Sequence, residues 1–372
     1  MAPSSTQAMA VWHWYNYVTS RIPPGKEVLR LNLDETSVCL YQGGGKGNVF
    51  VSRKRRVTQR APIGKRRCCI THVGVICDQT DIQPRLPQVL IGNEFTFQAG
   101  AIAALRASSP SNVVLLRQKS AWNNHATCAW IIRRIGLALA PYAGRYQPVL
   151  LLDASRVHSH RIVLTACHLA GIWVVLIPAL LTWLLQPLDT HGFQRYNAHM
   201  RKEYQEARIR SEGGDLAVGD FLLCVHSAVR SVLQGIPWSS AFDRDGFGAR
   251  QAEVAPRILE KLERAGQVVA PLIFSRPTDA ELALCFPRRT KVPVALLWRP
   301  FDTPPRAVPG AASSGCGAVA PCAARPPHRE PRTRAEHRAA AAAAAPSATA
   351  ASSSSSATPA AAARAPPASR RG

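Results

Sequence analysis

The sequence predicts an α/β fold, a mixed sheet flanked by helices, followed by a disordered C-terminal tail. Three observations lead there. Two short aliphatic runs, PVLLLD ending at Asp153 and GIWVVLIP ending at Pro178, are too short for helices and typical of buried central strands. Segments of helical period lie between and after them. Beyond Pro300 the composition shifts to alanine, proline, serine and arginine, which cannot bury a core.

Taken in order, residues 1–25 mix small, polar and aromatic residues, end at Pro23-Pro24-Gly25 and read as a connector. A strand-like segment from Glu27, VLRLNLDE, leads into SVCLYQ. A glycine-rich turn follows (Gly43, Gly44, Gly45 and Gly47), and then a basic run. That turn lacks phosphate-loop spacing and reads as a hairpin. CCITHVGVICD and PQVLIGN are β-rich. Trp122 to Ala140 has apolar residues at Trp122, Ala126, Ala129, Trp130 and Leu137, a helical period that Pro141 ends.

Val157 to Leu169 reads as a further helix. From Asp189 the chain turns helical again, with Phe193, Tyr196, Met200 and Tyr204 on one face and Asp189 on that same face. A carboxylate facing inward is costly unless it is paired or binds a cation, which makes Asp189 a site candidate. Phe221 to Leu233 reads as an amphipathic helix capped by Asp220, and Thr278 to Glu281 has capping-box spacing. The tail contains seven successive alanines (Ala339 to Ala345) and five serines (Ser352 to Ser356).

Ile162 to Leu188 is apolar enough to suggest a membrane span. It contains His168, Pro178 and Gln186 and a turn signal at Ala170-Gly171, so a short helix followed by a buried strand explains it, and no membrane is expected.

Composition narrows the partners. The formal net charge is +23, from 46 Lys and Arg against 23 Asp and Glu, which favours a polyanion such as nucleic acid. A GC-rich coding sequence would also enrich arginine, alanine and proline. The ten cysteines form no CxxC pair, which argues against a zinc ribbon and a disulfide framework and for a reducing compartment, cytosol or nucleus. No secretory signal is visible at the N-terminus. The basic run, Arg53, Lys54, Arg55, Arg56, Lys65, Arg66 and Arg67, suits phosphate contact or nuclear import; a solvated basic loop is the plain alternative.

Three acidic residues stand out: Asp34 in LNLDETSV, Asp153 in VLLLDASRVHSH and Asp189 in LLQPLDTHGF. Two of them end runs of strand-type residues, and ligands collect at strand ends in open sheets. Converging carboxylates repel unless divalent cations are present. Hard ions such as Mg²⁺ take such oxygen ligands and leave positions for phosphate and water. Singly, each acid is also an ordinary turn former or helix cap. His158 and His160 diverge on a helix, and His158 reads as a polar residue at a helix start rather than a zinc ligand.

These three segments, in this order, resemble the DDE superfamily of the mariner/pogo type, which includes the jerky and centromere protein B relatives. LLQPLD before an aromatic helix is similar to the family's third-acid motif, DET to the first, and LLLD with a downstream His to the second. The 36 residues from Asp153 to Asp189 fit mariner-like spacing. CCITHVGVICD resembles the strand after the first acid, and VLQGIPW with SSAFDRDGF the segment that closes the domain. Ala154 stands where Asn is common.

The resemblance implies an RNase H-like fold over residues 26–250. It implies a helical extension over 251–300, a tail over 301–372 and a nuclear location. It implies a metal-dependent DNA endonuclease and strand transferase in which Asp34, Asp153 and Asp189 hold two Mg²⁺ or Mn²⁺ ions. DNA is the implied partner, with a homodimer allowed and no small-molecule cofactor expected. The rival reading is a domesticated, catalytically inactive DNA-binding relative.

Overall fold

Six strands pair in the order β4-β3-β2-β1-β5-β6 in the computed structural model of the chain. Their ranges are β1 Glu27–Cys39, β2 Cys69–Cys77, β3 Gln88–Asn93, β4 Val113–Gln118, β5 Tyr146–Asp153 and β6 Trp173–Ile177. The structure describes residues 5–39, 69–94, 97–106, 109–210, 216–249, 251–267, 271–287 and 290–302. The glycine-rich turn at 43–47, the basic run from Arg53 to Arg67 and the tail from residue 303 onward lie outside the described residues.

β1 to β3 form an antiparallel meander, and β5 and β6 continue the sheet in parallel beyond β1. β4 adds in parallel to β3 at the far edge. A meander of three strands followed by parallel strands on the other side of the first is the RNase H-like arrangement, so the expected fold class is the observed one. β5 is buried along almost its whole length and β6 beyond its first residue, because helices cover both faces.

β1 differs. Leu29, Leu31 and Leu33 point to one face, and Arg30, Asn32 and Asp34 to the other, as the two-residue period of a strand requires. All six are buried. Arg30 donates to Asp78 Oδ2 at 2.7 Å, to Asp243 Oδ1 at 2.5 Å and to the Phe247 carbonyl at 2.5 Å. Burial works against its charge, but the carboxylates hold its pKa above the usual value.

The helices around the sheet include α1 Ser5–Ser20, α2 Ala99–Arg106, α3 His125–Leu139 and α4 Arg161–Leu169. Residues 1–25, read as a connector, thus contain a helix. Trp12, Trp14 and Tyr15 are fully buried, Tyr15 donates to the Gly248 carbonyl at 2.5 Å and Asn16 Oδ1 accepts from Ala252 N at 2.5 Å. A helix buried on nearly every side, with His13, Asn16 and Thr19 among the buried residues, has no solvent-facing polar stripe to reveal it.

The helix expected from Trp122 starts three residues later, because Asn124 caps it through Ala126 N and Thr127 N at 3.0 Å. Trp122 and Leu137, placed on its apolar face, are exposed. The apolar stretch 162–188 resolves into α4, β6 and the four-residue α5 Thr182–Leu185. Gly171, at φ 67°, supplies the left-handed turn that ends α4. No helix among the described residues is long and apolar enough to cross a membrane.

Beyond α5, a π-helical turn over Leu188–Gly192 leads into α6 Phe193–Arg210, whose buried residues are the four expected ones. The helix expected from Phe221 to Leu233 is α7 Val218–Ala228 followed by a second π-helical turn over Val229–Gln234. Ala217 occupies its cap position and Asp220 lies inside its first turn, where a carboxylate suits the helix dipole. α8 Ser239–Arg244, α9 Pro256–Arg264, α10 Asp279–Ala283 and α11 Val294–Asp302 complete the set. α10 has the expected capping box between Thr278 and Glu281.

Candidate active site

Two of the three predicted acids stand on neighbouring parallel strands. Asn32 of β1 is in register with Leu151 of β5, so two residues further on Asp34 comes beside Asp153, which ends β5, while β1 runs on to Cys39 in its pairing with β2. Adjacent strands lie about 4.8 Å apart, which forces the two carboxylates into one neighbourhood.

The third arrives by a different route. Asp189 is the second residue of the π-helical turn Leu188–Gly192. That turn is fixed by the buried Asn32: its Oδ1 accepts from Leu188 N at 2.9 Å, and its Nδ2 donates to the Leu151 carbonyl at 2.9 Å. One amide therefore ties β1, β5 and the turn together. Asp189 was expected on the inward face of its helix. The neighbouring Leu188 and Gly192 take the buried positions instead, and Asp189 itself is exposed toward the crevice.

The three carboxylates act on one another. Burial raises the Asp34 pKa well above its usual range, and the charges of Asp189, Asp153 and Glu35 raise it further, against a hydrogen bond from Glu35 N at 2.8 Å. Burial also raises the pKa of Asp189, while hydrogen bonds with Thr182 and Asp34 oppose the shift. Asp34 and Asp189 thus influence each other's ionisation. A buried acid held up by like charges is a place where a divalent cation lowers the energy.

Two further residues complete the cluster: Glu35, which was not singled out from sequence, and His158, which was weighed there for a role in orienting water or phosphate and set aside. His158, expected as a simple polar residue at a helix start, is fully buried between two carboxylates. Its Nδ1 bonds Asp153 Oδ1, and its Nε2 lies 3.2 Å from Glu35 Oε1. Burial opposes the imidazolium, yet the Glu35 and Asp153 charges outweigh it and lift the pKa well above the ordinary value. Burial likewise opposes the Glu35 anion, but His158 and Asn123, whose Nδ2 donates at 2.5 Å, bring its pKa below normal. Glu35, Asp153 and His158 each offer a ligand atom within 4.8 Å of the other two, a group that could hold a metal ion. The signal in the sequence was the DET string, whose Glu follows Asp34 directly.

A hard divalent cation suits these carboxylate oxygens: Asp153 and Glu35 belong to the group that could hold a metal ion, while Asp34 and Asp189 lie outside that group and add negative charge beside it. With Asp153 Oδ1 engaged by His158, the other carboxylate oxygen is left for a cation. His158 could act as a ligand only by releasing one of its two carboxylates.

Residues 73–234 match the profile of a family described as DDE superfamily endonuclease. The matched segment begins within β2 and ends at the second π-helical turn, so the similarity to that family covers less than half of the chain. The matched residues include Asp153 and Asp189, and Asp34 precedes them. No curated protein is significantly similar in sequence.

Solved structures with partial likeness include the "Mos1 transposase paired-end complex with left transposon end" (13% identity, 67% of this chain and 65% of that one, TM-score 0.34). Others are the "pre-cleavage Mos1 transpososome" (11%, 66% and 64%, 0.33) and the "Mos1 mariner paired end complex with Mn" (12%, 68% and 65%, 0.34). The likeness spans about 65% of those proteins' length.

Proposed function

We propose that this chain is a metal-dependent DNA endonuclease and strand transferase of the mariner/pogo type, with Asp34, Asp153 and Asp189 as the ligands of two Mg²⁺ or Mn²⁺ ions. The observation that carries the reading is the placement of Asp34 beside Asp153 on β1 and β5, with Asp189 on the turn that Asn32 ties to both strands. Bound there, two ions would activate the attacking oxygen and stabilise the leaving one in phosphodiester cleavage.

The chain's own residues do the positioning. Asn32 fixes the turn that carries Asp189 relative to both strands. His158 and Glu35 fix the orientation of Asp153 and neutralise part of the local negative charge. Little covalent work is asked of the protein beyond alignment and charge stabilisation. DNA is the proposed substrate. The net charge of +23 supports it, and Arg53, Lys54, Arg55, Arg56, Lys65, Arg66 and Arg67 are the proposed phosphate contacts. A nuclear location, a homodimer and a catalytic domain over residues 26–250 belong to the same proposal.

The test is nicking of supercoiled plasmid by the full chain with Mg²⁺ or Mn²⁺, beside Asp153→Asn. The full chain is required because α1 is part of the buried core. Metal-dependent nicking that the variant loses is the expected result. A folded wild type that binds plasmid without cutting it would overturn the catalytic reading in favour of a DNA-holding one.

A further inference from the structure

We infer that Asp245, with Arg257, is a positioning residue for Asp189, placed beyond the family-matched segment and acting on the metal site through the turn that bears the third acid. The inference rests on the reading under Proposed function.

Asp189 has no strand to hold it. Its turn is gripped from the side away from β1 by one carboxylate. Asp245 is completely buried and accepts from Thr190 Oγ1 at 2.5 Å and from His191 Nε2 at 3.1 Å. Those are the two residues that follow Asp189. Arg257 NH2 bonds the same Asp245 carboxylate, and it also donates to the Leu184 carbonyl at 2.8 Å, in the short helix α5 that precedes the turn. The pair therefore holds the chain on both sides of Asp189. A carboxylate can only accept, so its four lone-pair sites match the three donors converging on it.

Asp245 is itself anchored. It follows α8, and Gly246, at φ 86°, turns the chain immediately after it in a conformation that other residues avoid. Arg30 of β1 then grips the same turn on both sides of Asp245, at Asp243 Oδ1 and the Phe247 carbonyl. The strand that carries Asp34 thus fixes Asp189 twice: directly through Asn32 to Leu188, and indirectly through Arg30 to the 243–247 turn and from Asp245 to Thr190 and His191. An ordinary core salt bridge would not need to touch both of the residues that follow the third acid.

Mn²⁺ binding to the full chain, followed by titration calorimetry and by the loss of free-ion electron paramagnetic resonance signal, tests this without reference to DNA cleavage. Outer-shell partners of metal ligands typically contribute about 10–100-fold in affinity, so Asp245→Asn should weaken Mn²⁺ binding by about tenfold or more. Thr190→Val, which removes one donor and leaves the buried pair with Arg257 intact, should weaken it by a smaller factor and keeps the test valid if Asp245→Asn does not fold.

The deciding measurement is the pair of variants combined with Asp189→Asn. If Asp245 acts through Asp189, adding Asp245→Asn or Thr190→Val to Asp189→Asn should cost no further affinity. Wild-type affinity in a folded Asp245→Asn or Thr190→Val, or losses that simply add to that of Asp189→Asn, would overturn the inference. A wild type that binds no Mn²⁺, or an Asp189→Asn that binds it unchanged, would instead overturn the metal-site reading on which the inference depends.

Discussion

The two halves of the candidate site are held in different ways. Asp34 and Asp153 stand on adjacent central strands, so ladder hydrogen bonds and a buried aliphatic face fix their backbones. Asp189 stands on an irregular turn, exposed, and depends on side chains reaching in from elsewhere: Asn32 on one side, Asp245 on the other. A site of this kind has one half insulated from distant substitutions and one half open to them. π-helical turns often mark such functional positions, because the extra residue redirects side chains at a local energetic cost.

The largest expected effect probes both halves at once. Asp153→Asn and Asp189→Asn should each lower metal-dependent nicking by about 10²–10³-fold, as removal of a charge-stabilising group commonly does. Plasmid assays showing Asp189→Asn near wild-type rates would reduce the turn to a scaffold and leave the strand-borne acids, with Glu35, as the working set.

The strand half has a weakness of its own in acid. His72 on β2 is fully buried, with Nε2 3.3 Å from Gln88 Oε1, and burial depresses its pKa to about 4. In the unfolded chain it takes a proton near pH 6.5, so stability is present above that pH and falls as the pH drops from about 6.5 toward 4, by roughly 3 kcal/mol when the full interval is crossed. Urea midpoints measured across that range should slope steeply in the wild type and less in His72→Gln. Equal slopes would show that His72 is not the group responsible.

Asn32→Ala removes the amide that joins the halves. Leu188 N and the Leu151 carbonyl would lose their partner, at a cost of about 1–3 kcal/mol in stability. Because the turn is the looser half, cleavage should fall more than stability accounts for. Parallel denaturation and nicking assays separate the two, and a loss of stability alone would mean that Asp245 suffices to hold Asp189.

The smallest effect has the opposite sign. Since burial and its neighbours' charges raise the pKa of Asp34, the ionised group destabilises the metal-free fold as pH rises through the interval above its unfolded value near 4. Asp34→Asn in chelator should therefore be more stable than the wild type at neutral pH. Mn²⁺ should raise the melting temperature of the wild type and not of the variant. A destabilised Asp34→Asn would show that its carboxylate is already compensated without a cation.

The strand half was also the legible half. PVLLLD and WVVLI announced β5 and β6 because strands buried on both faces are continuously apolar, and the acid at the end of β5 was visible as the end of that run. α1 was not legible: its successive aromatics are buried on all sides, so no period separates a core face from a solvent face. Nor was the cluster around His158, since its partner Glu35 lies 123 positions away and no local spacing encodes such a pairing. Thr190 and His191 likewise meet Asp245 across 55 and 54 positions. Sequence patterns report which face an element buries. They do not report which side chain a buried polar group will meet.

The polar face of β1 also bears on how the chain reaches this fold. Arg30, Asn32 and Asp34 alternate with Leu29, Leu31 and Leu33, so sliding the strand by one residue would exchange the two sets. A misthreaded sheet would press a guanidinium and a carboxylate into the aliphatic layer and strand three leucines among polar partners. The strand therefore works as a gauge of its own alignment, because a shifted register loses the contacts of Asn32 with Leu188 and of Arg30 with the 243–247 turn. A chain able to assemble the acids is, by the same contacts, one whose central strand has been correctly set.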